Sequence, residues 1–135
     1  MDTVKVTQEE KSTGTLIVRV STARGAIPLE NAAISIRGDT PSTSGIVRSM
    51  RSDADGLSER VSLPAPDRSA SSSPGGPQPF STWNVDVSLE GYIPVSFTGV
   101  PVYSGIVSVQ PAVLVPIPEG FYSRTVYSEA TAPQL

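Results

Sequence analysis

The chain has 135 residues and a net charge of −3, and charged residues make up 17% of it. It contains no cysteine, which excludes disulfides and thiolate metal sites, and no histidine, which excludes His-based acid–base catalysis and the usual zinc sites. The charges form no basic cluster of the kind that binds nucleic acid. The polar N-terminus lacks the apolar core of a signal peptide, and no apolar run approaches the roughly 20 residues of a membrane span.

The length suits a single domain. With 13 prolines and 11 glycines, the composition favours short strands joined by many turns. Alternating apolar residues predict seven strands, and no segment has a helical period. Asp53–Gly56 is a turn signal between the third and fourth strands, which predicts a hairpin there. The first four predicted strands lie at Gly14–Thr22, around Ala32–Ile36, at Gly45–Ser52 and at Leu57–Leu63.

The clearest alternation lies in the second half of the chain. Trp83, Val85, Val87 and Leu89 share one face of a predicted half-buried strand. The tripeptide Glu90-Gly91-Tyr92 is predicted to reverse the chain, because glycine tolerates a positive φ. Two further strands follow, around Ile93–Phe97 and Ile106–Pro116. Pro94 and Pro111 interrupt these strands, which favours edge positions for both or a bulge at Pro111.

Composition divides the chain into a domain and two arms. We expect an N-terminal arm at 1–13, a β-sandwich domain at 14–118 and a C-terminal arm at 119–135. Within the domain, residues 64–79 form a Ser/Pro/Gly-rich segment without apolar periodicity, which predicts a long flexible loop. The predicted fold class is therefore an all-β, seven-stranded antiparallel β-sandwich with extended terminal arms.

The order of several short motifs resembles a known family. Pro28-Leu29 precedes the strand Ala32–Ile36, Ser52–Gly56 forms a Ser-Asp-x-x-Gly turn, and Trp83–Tyr92 closes in Gly-Tyr. Over roughly Gly14–Pro118 this order resembles the carboxypeptidase regulatory-like domain, which is a transthyretin-like β-sandwich. The stretch Pro79–Gly120 is similar to the N-terminal, non-catalytic region of bacterial spore cortex-lytic hydrolases, although the chain departs from it in the serine-rich insertion Ser69–Gly76.

The resemblance also implies one enzymatic branch, the hydroxyisourate hydrolases, which rely on histidines that this chain lacks. Asp53 and Asp55 are spaced like calcium ligands, but the acidic pattern stops at Gly56, so we predict a turn that bonds its own backbone. Trp83 is in register with core positions, which favours packing over sugar stacking. We therefore expect no catalytic, cofactor-binding or metal-binding residues, and no enzyme.

The arms carry the candidate interaction residues. The N-terminal arm alternates at Val4 and Val6, and three of the eight aromatic residues follow the last predicted strand. Such segments can pack on their own domain or be disordered, or they can complete a sheet edge in a neighbouring subunit. The candidate assembly residues are Val4, Val6, Phe121, Tyr122, Val126 and Tyr127.

These observations predict a structural or interaction module that assembles through its arms by strand addition. The expected partner is a second copy of the chain or another protein of a bacterial spore or cell envelope, and the expected assembly is a homo-oligomer or filament. The alternative is a glycan- or peptidoglycan-binding accessory module that uses the loops at one end. Neither reading involves nucleic acid or membrane insertion.

Overall fold

A computed structural model describes residues 12–67 and 80–118. Within these ranges the chain forms eight strands and no helix. No helix there is long and apolar enough to cross a membrane. The strands are β1 (Thr13–Thr22), β2 (Ile27–Pro28), β3 (Ala33–Gly38), β4 (Val47–Arg51), β5 (Val61–Pro64), β6 (Phe80–Ser88), β7 (Val95–Tyr103) and β8 (Val107–Val113).

The strands form two four-stranded sheets, which confirms the predicted all-β sandwich. In the first sheet β1 is central, with β5 and β2 antiparallel to it on one side and β8 parallel to it on the other. The second sheet has the order β4-β3-β6-β7 and is antiparallel throughout. The parallel β1–β8 pair is possible because the chain passes through the second sheet between these strands, which supplies the long crossover that a parallel pair needs.

The core lies between the sheets and is built from the predicted alternating positions. Leu16, Val18 and Val20 of β1 are fully buried, and Val85 of β6 packs in the same cluster. Trp83 is also fully buried, and its Nε1 donates a hydrogen bond to Ser81 Oγ at 2.8 Å. The prediction that Trp83 packs in the core rather than against a sugar is therefore confirmed.

The predicted hairpin around Asp53–Gly56 is wrong. β4 belongs to the second sheet and β5 to the first, so this turn carries the chain from one sheet to the other. The predicted fourth strand is also shorter at its start, because Ser58 breaks the alternation. Its buried Oγ accepts a hydrogen bond from the Val18 N–H at 2.9 Å.

The turn and edge predictions of the second half agree with the structure. The Tyr92 N–H donates to the Leu89 carbonyl at 3.0 Å, and Gly91 has a φ of 92°. The tripeptide therefore reverses the chain between β6 and β7. β7 lies at the edge of the second sheet and β8 at the edge of the first, as Pro94 and Pro111 indicated.

Candidate functional site

The predicted assembly residues lie outside the described ranges. Val4 and Val6 precede residue 12, and Phe121, Tyr122, Val126 and Tyr127 follow residue 118. The serine-rich insertion Ser69–Gly76 also lies outside them. The structure instead describes the surfaces of the sandwich that could receive another segment or a ligand.

Two of the described carboxylates, Asp53 and Asp86, make contacts of a structural kind. Asp53 Oδ1 accepts hydrogen bonds from the N–H groups of Asp55 and Leu57, both at 2.9 Å, which is the geometry of a turn closed by its own aspartate. On the outer face of the second sheet, Asp86 pairs with Arg37 at 2.8 Å and accepts from Ser96 Oγ at 2.6 Å. No group of three or more acidic, histidine or cysteine residues in the described chain could hold a metal ion.

The described aromatic residues do not form an exposed platform for a sugar. Tyr92 and Tyr103 are half-buried; Tyr92 precedes β7, and Tyr103 is its last residue. The ring of Tyr103 packs against Phe80 with centroids 5.3 Å apart. An open groove of about 430 Å³ on the outer face of the second sheet has no aromatic side chain in its lining, which consists of three serines, Ala33, Ile34, Met50, Arg51 and Asp86.

The largest row of exposed apolar side chains lies on β8 and its continuation. Because side chains alternate along a strand, the even-numbered Ala112 and Leu114 point into the core and the odd-numbered valines point outward. We call the outward-facing residues Val107, Val109, Val113 and Val115 the valine row; they are 48, 50, 43 and 56% exposed, respectively. In β1, the partly buried Ile17 lies in register with Val109 and widens this apolar surface.

β8 also leaves one side of its backbone unpaired. In a parallel ladder, alternate residues of a strand bond to a given neighbour. The Leu114 N–H donates to Ser21 O at 2.7 Å, and Ile106 O accepts from Thr15 at 3.0 Å, so the even-numbered residues bond to β1. The backbone groups of the odd-numbered residues point the other way, and no other described strand pairs with them between Val107 and Val113. We call this side of Val107–Val113 the free edge.

The free edge ends where the chain leaves β8. Val115 O accepts a hydrogen bond from the Ile93 N–H at 2.9 Å, and the Ile117 N–H donates to Gly91 O at 2.9 Å. The backbone groups of Val115 and Ile117 that make these hydrogen bonds point to the same side of the chain as the free edge. The segment Gly91–Ile93 therefore covers that side beyond Val113.

The other sheet edges carry the features that normally prevent strand addition. β4 has Arg48 and Arg51, and β7 pairs with β6 across a register shift. β2 and β5 have only two and four residues, and each ends in proline. β8 has a single proline, Pro111, and no charged residue occurs anywhere from Pro101 to Pro118. The free edge is thus the least protected edge of the described sandwich.

The sequence predicted which valines share a face of the strand but not which way that face points. The alternation of Val107, Val109, Val113 and Val115 placed them on one face of a strand near an edge. It did not show that this face points away from the core, because the period of a strand defines two faces without saying which one meets the other sheet.

Fold and site together define a β-sandwich protein with an accessible, uncharged edge strand. No known family model matches the chain, and no match was found among characterised protein sequences. Solved structures do share the fold. The TIE protein of Bacillus anthracis is 13% identical, with a TM-score of 0.54, and the match covers 78% of this chain and 17% of that protein.

Two dioxygenases are similar to the same degree. The 3-chlorocatechol 1,2-dioxygenase of Rhodococcus opacus 1CP has 13% identity and a TM-score of 0.53, covering 81% of this chain and 62% of that one. The catechol 1,2-dioxygenase of Acinetobacter sp. ADP1 has 16% identity and a TM-score of 0.53, covering 82% and 54%. The chain spans less than two thirds of each of these proteins, and at these identities the likeness shows the fold alone.

These matches overturn the expectation that the chain is not an enzyme. That expectation rested on the absence of histidine and of a suitable acidic pattern, yet catechol 1,2-dioxygenases share the fold. The fold therefore does not exclude catalysis. At 13 and 16% identity, it does not assign dioxygenase activity to this chain either.

Proposed function

We propose that this chain is a structural interaction module that assembles with copies of itself through its terminal arms. The observation that carries the proposal is the combination of the valine row and the free edge on β8. An uncharged edge strand beside exposed valines is a surface that favours strand addition and apolar contact. An exposed surface of this kind promotes aggregation. A segment that binds it would prevent this.

The arms supply segments of the complementary kind. Val4 and Val6 alternate with polar residues, as in a half-buried strand. Phe121, Tyr122 and Tyr127 place three aromatic residues within a short C-terminal segment. Aromatic residues dominate the energy of protein–protein contacts, because each buries a large area at a small cost in side-chain entropy.

The finer classification follows the sequence resemblance. We place the domain with the transthyretin-like, carboxypeptidase regulatory-like sandwiches, on the order of motifs from Pro28 to Tyr92. The similarity of the second half to the N-terminal region of spore cortex-lytic hydrolases supports a spore or cell-envelope setting. A partner in that setting would be a second copy of the chain or another envelope protein.

The test compares the full-length chain with a chain that ends at Gly120. A length-matched control carries Phe121→Ser, Tyr122→Ser, Val126→Ser and Tyr127→Ser. We expect light scattering and negative-stain electron microscopy to show oligomers or fibres for the full-length chain, and monomers for the other two. If all three are monomers of equal stability, assembly through the C-terminal arm is wrong. Retention on insoluble peptidoglycan would then favour the glycan-binding alternative.

A further inference from the structure

We propose that the C-terminal arm, residues 119–135, of one copy adds as a strand to the free edge of β8 in a second copy and packs apolar side chains beside its valine row. This inference rests on the proposed function and names the surface that receives the arm. An extended strand rises about 3.3 Å per residue, so the edge from Val107 to Val113 is roughly 20 Å long and takes about seven residues.

The exit of the arm from the domain favours a neighbouring copy over the arm's own edge. The arm begins directly after Pro118, and Pro116 and Pro118 hold the preceding chain in an extended conformation. To return along its own free edge, the arm would have to pass the segment Gly91–Ile93, which is hydrogen-bonded to Val115 and Ile117. A neighbour's edge presents no such obstacle.

The chemistry of the two arms favours the C-terminal one as the occupant. Its 17 residues include three charged ones, Glu119, Arg124 and Glu129, and only Arg124 lies between Gly120 and Ser128. The N-terminal arm has five charged residues within its first 11, namely Asp2, Lys5, Glu9, Glu10 and Lys11. Because the region from Pro101 to Pro118 has no charge with which to pair, an arm with few charges loses less solvation when it docks there.

The pattern within the C-terminal arm suits a strand. Thr125, Val126 and Tyr127 are β-branched or aromatic residues, which are enriched in strands. In a strand, Val126 would lie on the face opposite to Thr125 and Tyr127. Whichever of these faces meets the valine row, an apolar residue contacts it.

Pro111 limits the strength of this pairing. Pro111 has no backbone N–H group. An added strand can therefore accept hydrogen bonds from the N–H groups of Val107, Val109 and Val113, but from no residue between Val109 and Val113. The carbonyl groups of Val107, Val109 and Val113 remain available as acceptors, whereas Pro111 O already accepts a hydrogen bond from Gln110 Nε2 at 2.9 Å. An interrupted ladder of this kind predicts association that depends on protein concentration.

The absence of native cysteine allows a direct test by crosslinking in the full-length chain. Val109→Cys is introduced into one preparation and Val126→Cys into a second that carries a tag of different size. The two are mixed and treated with a short thiol-reactive crosslinker, which tolerates an unknown strand register. The matched control replaces Val109→Cys with Val47→Cys, because Val47 is a valine on the edge strand β4 of the other sheet and is 51% exposed.

We expect mixed dimers from Val109→Cys and Val126→Cys in several-fold excess over the Val47→Cys control. Equal yields would overturn the inference. A monomeric chain carrying both Val109→Cys and Val126→Cys that crosslinks internally in dilute solution would also overturn it, because the arm would then dock on its own domain. Dimers formed by Val109→Cys alone, or more efficiently with Val4→Cys, would identify a second β8 or the N-terminal arm as the occupant instead.

The crosslinking result and the truncation result together separate the two proposals. If the chain ending at Gly120 loses assembly while position 109 shows no preference over position 47, the arm assembles the protein but binds elsewhere. If the full-length chain does not assemble and no mixed dimers form, the inference and the proposed function both fail.

Discussion

At the scale of single residues, buried serines stabilise turns that connect the two sheets. Ser52 is buried, and its Oγ donates to the Leu29 carbonyl at 2.7 Å and accepts from the Ala32 N–H at 2.9 Å. The side chain therefore satisfies two backbone groups just before β3. Such a residue is hard to distinguish in sequence from the many exposed serines of this chain.

The Ser52→Ala substitution should lower the free energy of unfolding by about 1–3 kcal/mol, because it leaves two buried backbone groups without a partner. Ser62→Ala, at an exposed position of β5, should change it by no more than about 0.5 kcal/mol. Urea denaturation followed by circular dichroism measures both. Equal effects of the two substitutions would show that the Ser52 contacts do not contribute to stability.

Trp83 is the largest fully buried side chain of the core. Trp83→Ala should cost about 3–5 kcal/mol of unfolding free energy, because it removes a buried aromatic side chain and leaves a cavity. Trp83→Phe should cost less, since it keeps most of the volume and loses the hydrogen bond to Ser81. Far-ultraviolet circular dichroism is the suitable probe, because the substitution removes the only tryptophan. A loss below about 1 kcal/mol for Trp83→Ala is what an exposed position would give.

At the scale of elements, the turn that carries the chain from β4 toward β5 packs tightly against β1. The Val20 N–H donates to Gly56 O at 2.7 Å, and Gly56 has a φ of 79°. A Cβ atom at this position would overlap the Val20 carbonyl oxygen. Gly99 in β7 has a similar φ of 69° but open space around it.

Gly56→Ala should therefore destabilise the fold more than Gly99→Ala. Both substitutions strain the backbone by about 1–3 kcal/mol, because a residue with a side chain rarely adopts a positive φ. Only Gly56→Ala adds a steric overlap that must displace β1 or the turn. Thermal unfolding of the two variants compares them directly, and a lower midpoint for Gly99→Ala would contradict the packing described around Gly56.

The edge strand β8 gives a prediction about association rather than stability. Val109→Lys places a charge in the valine row, as naturally protected edges do. We expect the apparent Kd for self-association to rise about tenfold or more, equivalent to roughly 1.4 kcal/mol. Val47→Lys on β4 should leave the Kd unchanged. Sedimentation velocity over a range of concentrations measures both, and equal behaviour of the two variants would exclude β8 as the contact surface.

Strand periodicity predicted most of the elements, because alternation in β1, β3, β6 and β8 records directly which side chains share a face. It did not predict how strands pair. The turn signal Asp53–Gly56 is compatible with a hairpin or with a crossing between sheets, and the choice depends on long-range contacts such as Ser58 with Val18. The parallel partner of β8 is likewise set by contacts between residues far apart in the chain.

At the scale of the whole molecule, the edges of the sandwich differ in how well they are protected against strand addition. β4 is charged, β7 has a register shift with β6, and β2 and β5 are short, whereas β8 is uncharged, carries one proline and is flanked by exposed valines. The sequence singled out the apolar residues of the arms as candidates for assembly, because residue type and spacing are local properties. It did not locate the receiving surface, since that surface exists only after β8 has paired with β1 on one side and has left the other side open.

Backbone hydrogen exchange at the free edge tests the central claim most directly. Residue-level exchange would be measured for the amides of Val107, Val109 and Val113 in the full-length chain and in the chain ending at Gly120, at a concentration where the full-length chain assembles. Pairing with an arm predicts slow exchange at these amides in the full-length chain only, with the amide of Ser108, which bonds to β1, protected in both. Equally fast exchange at Val107, Val109 and Val113 in both chains would contradict strand addition at β8.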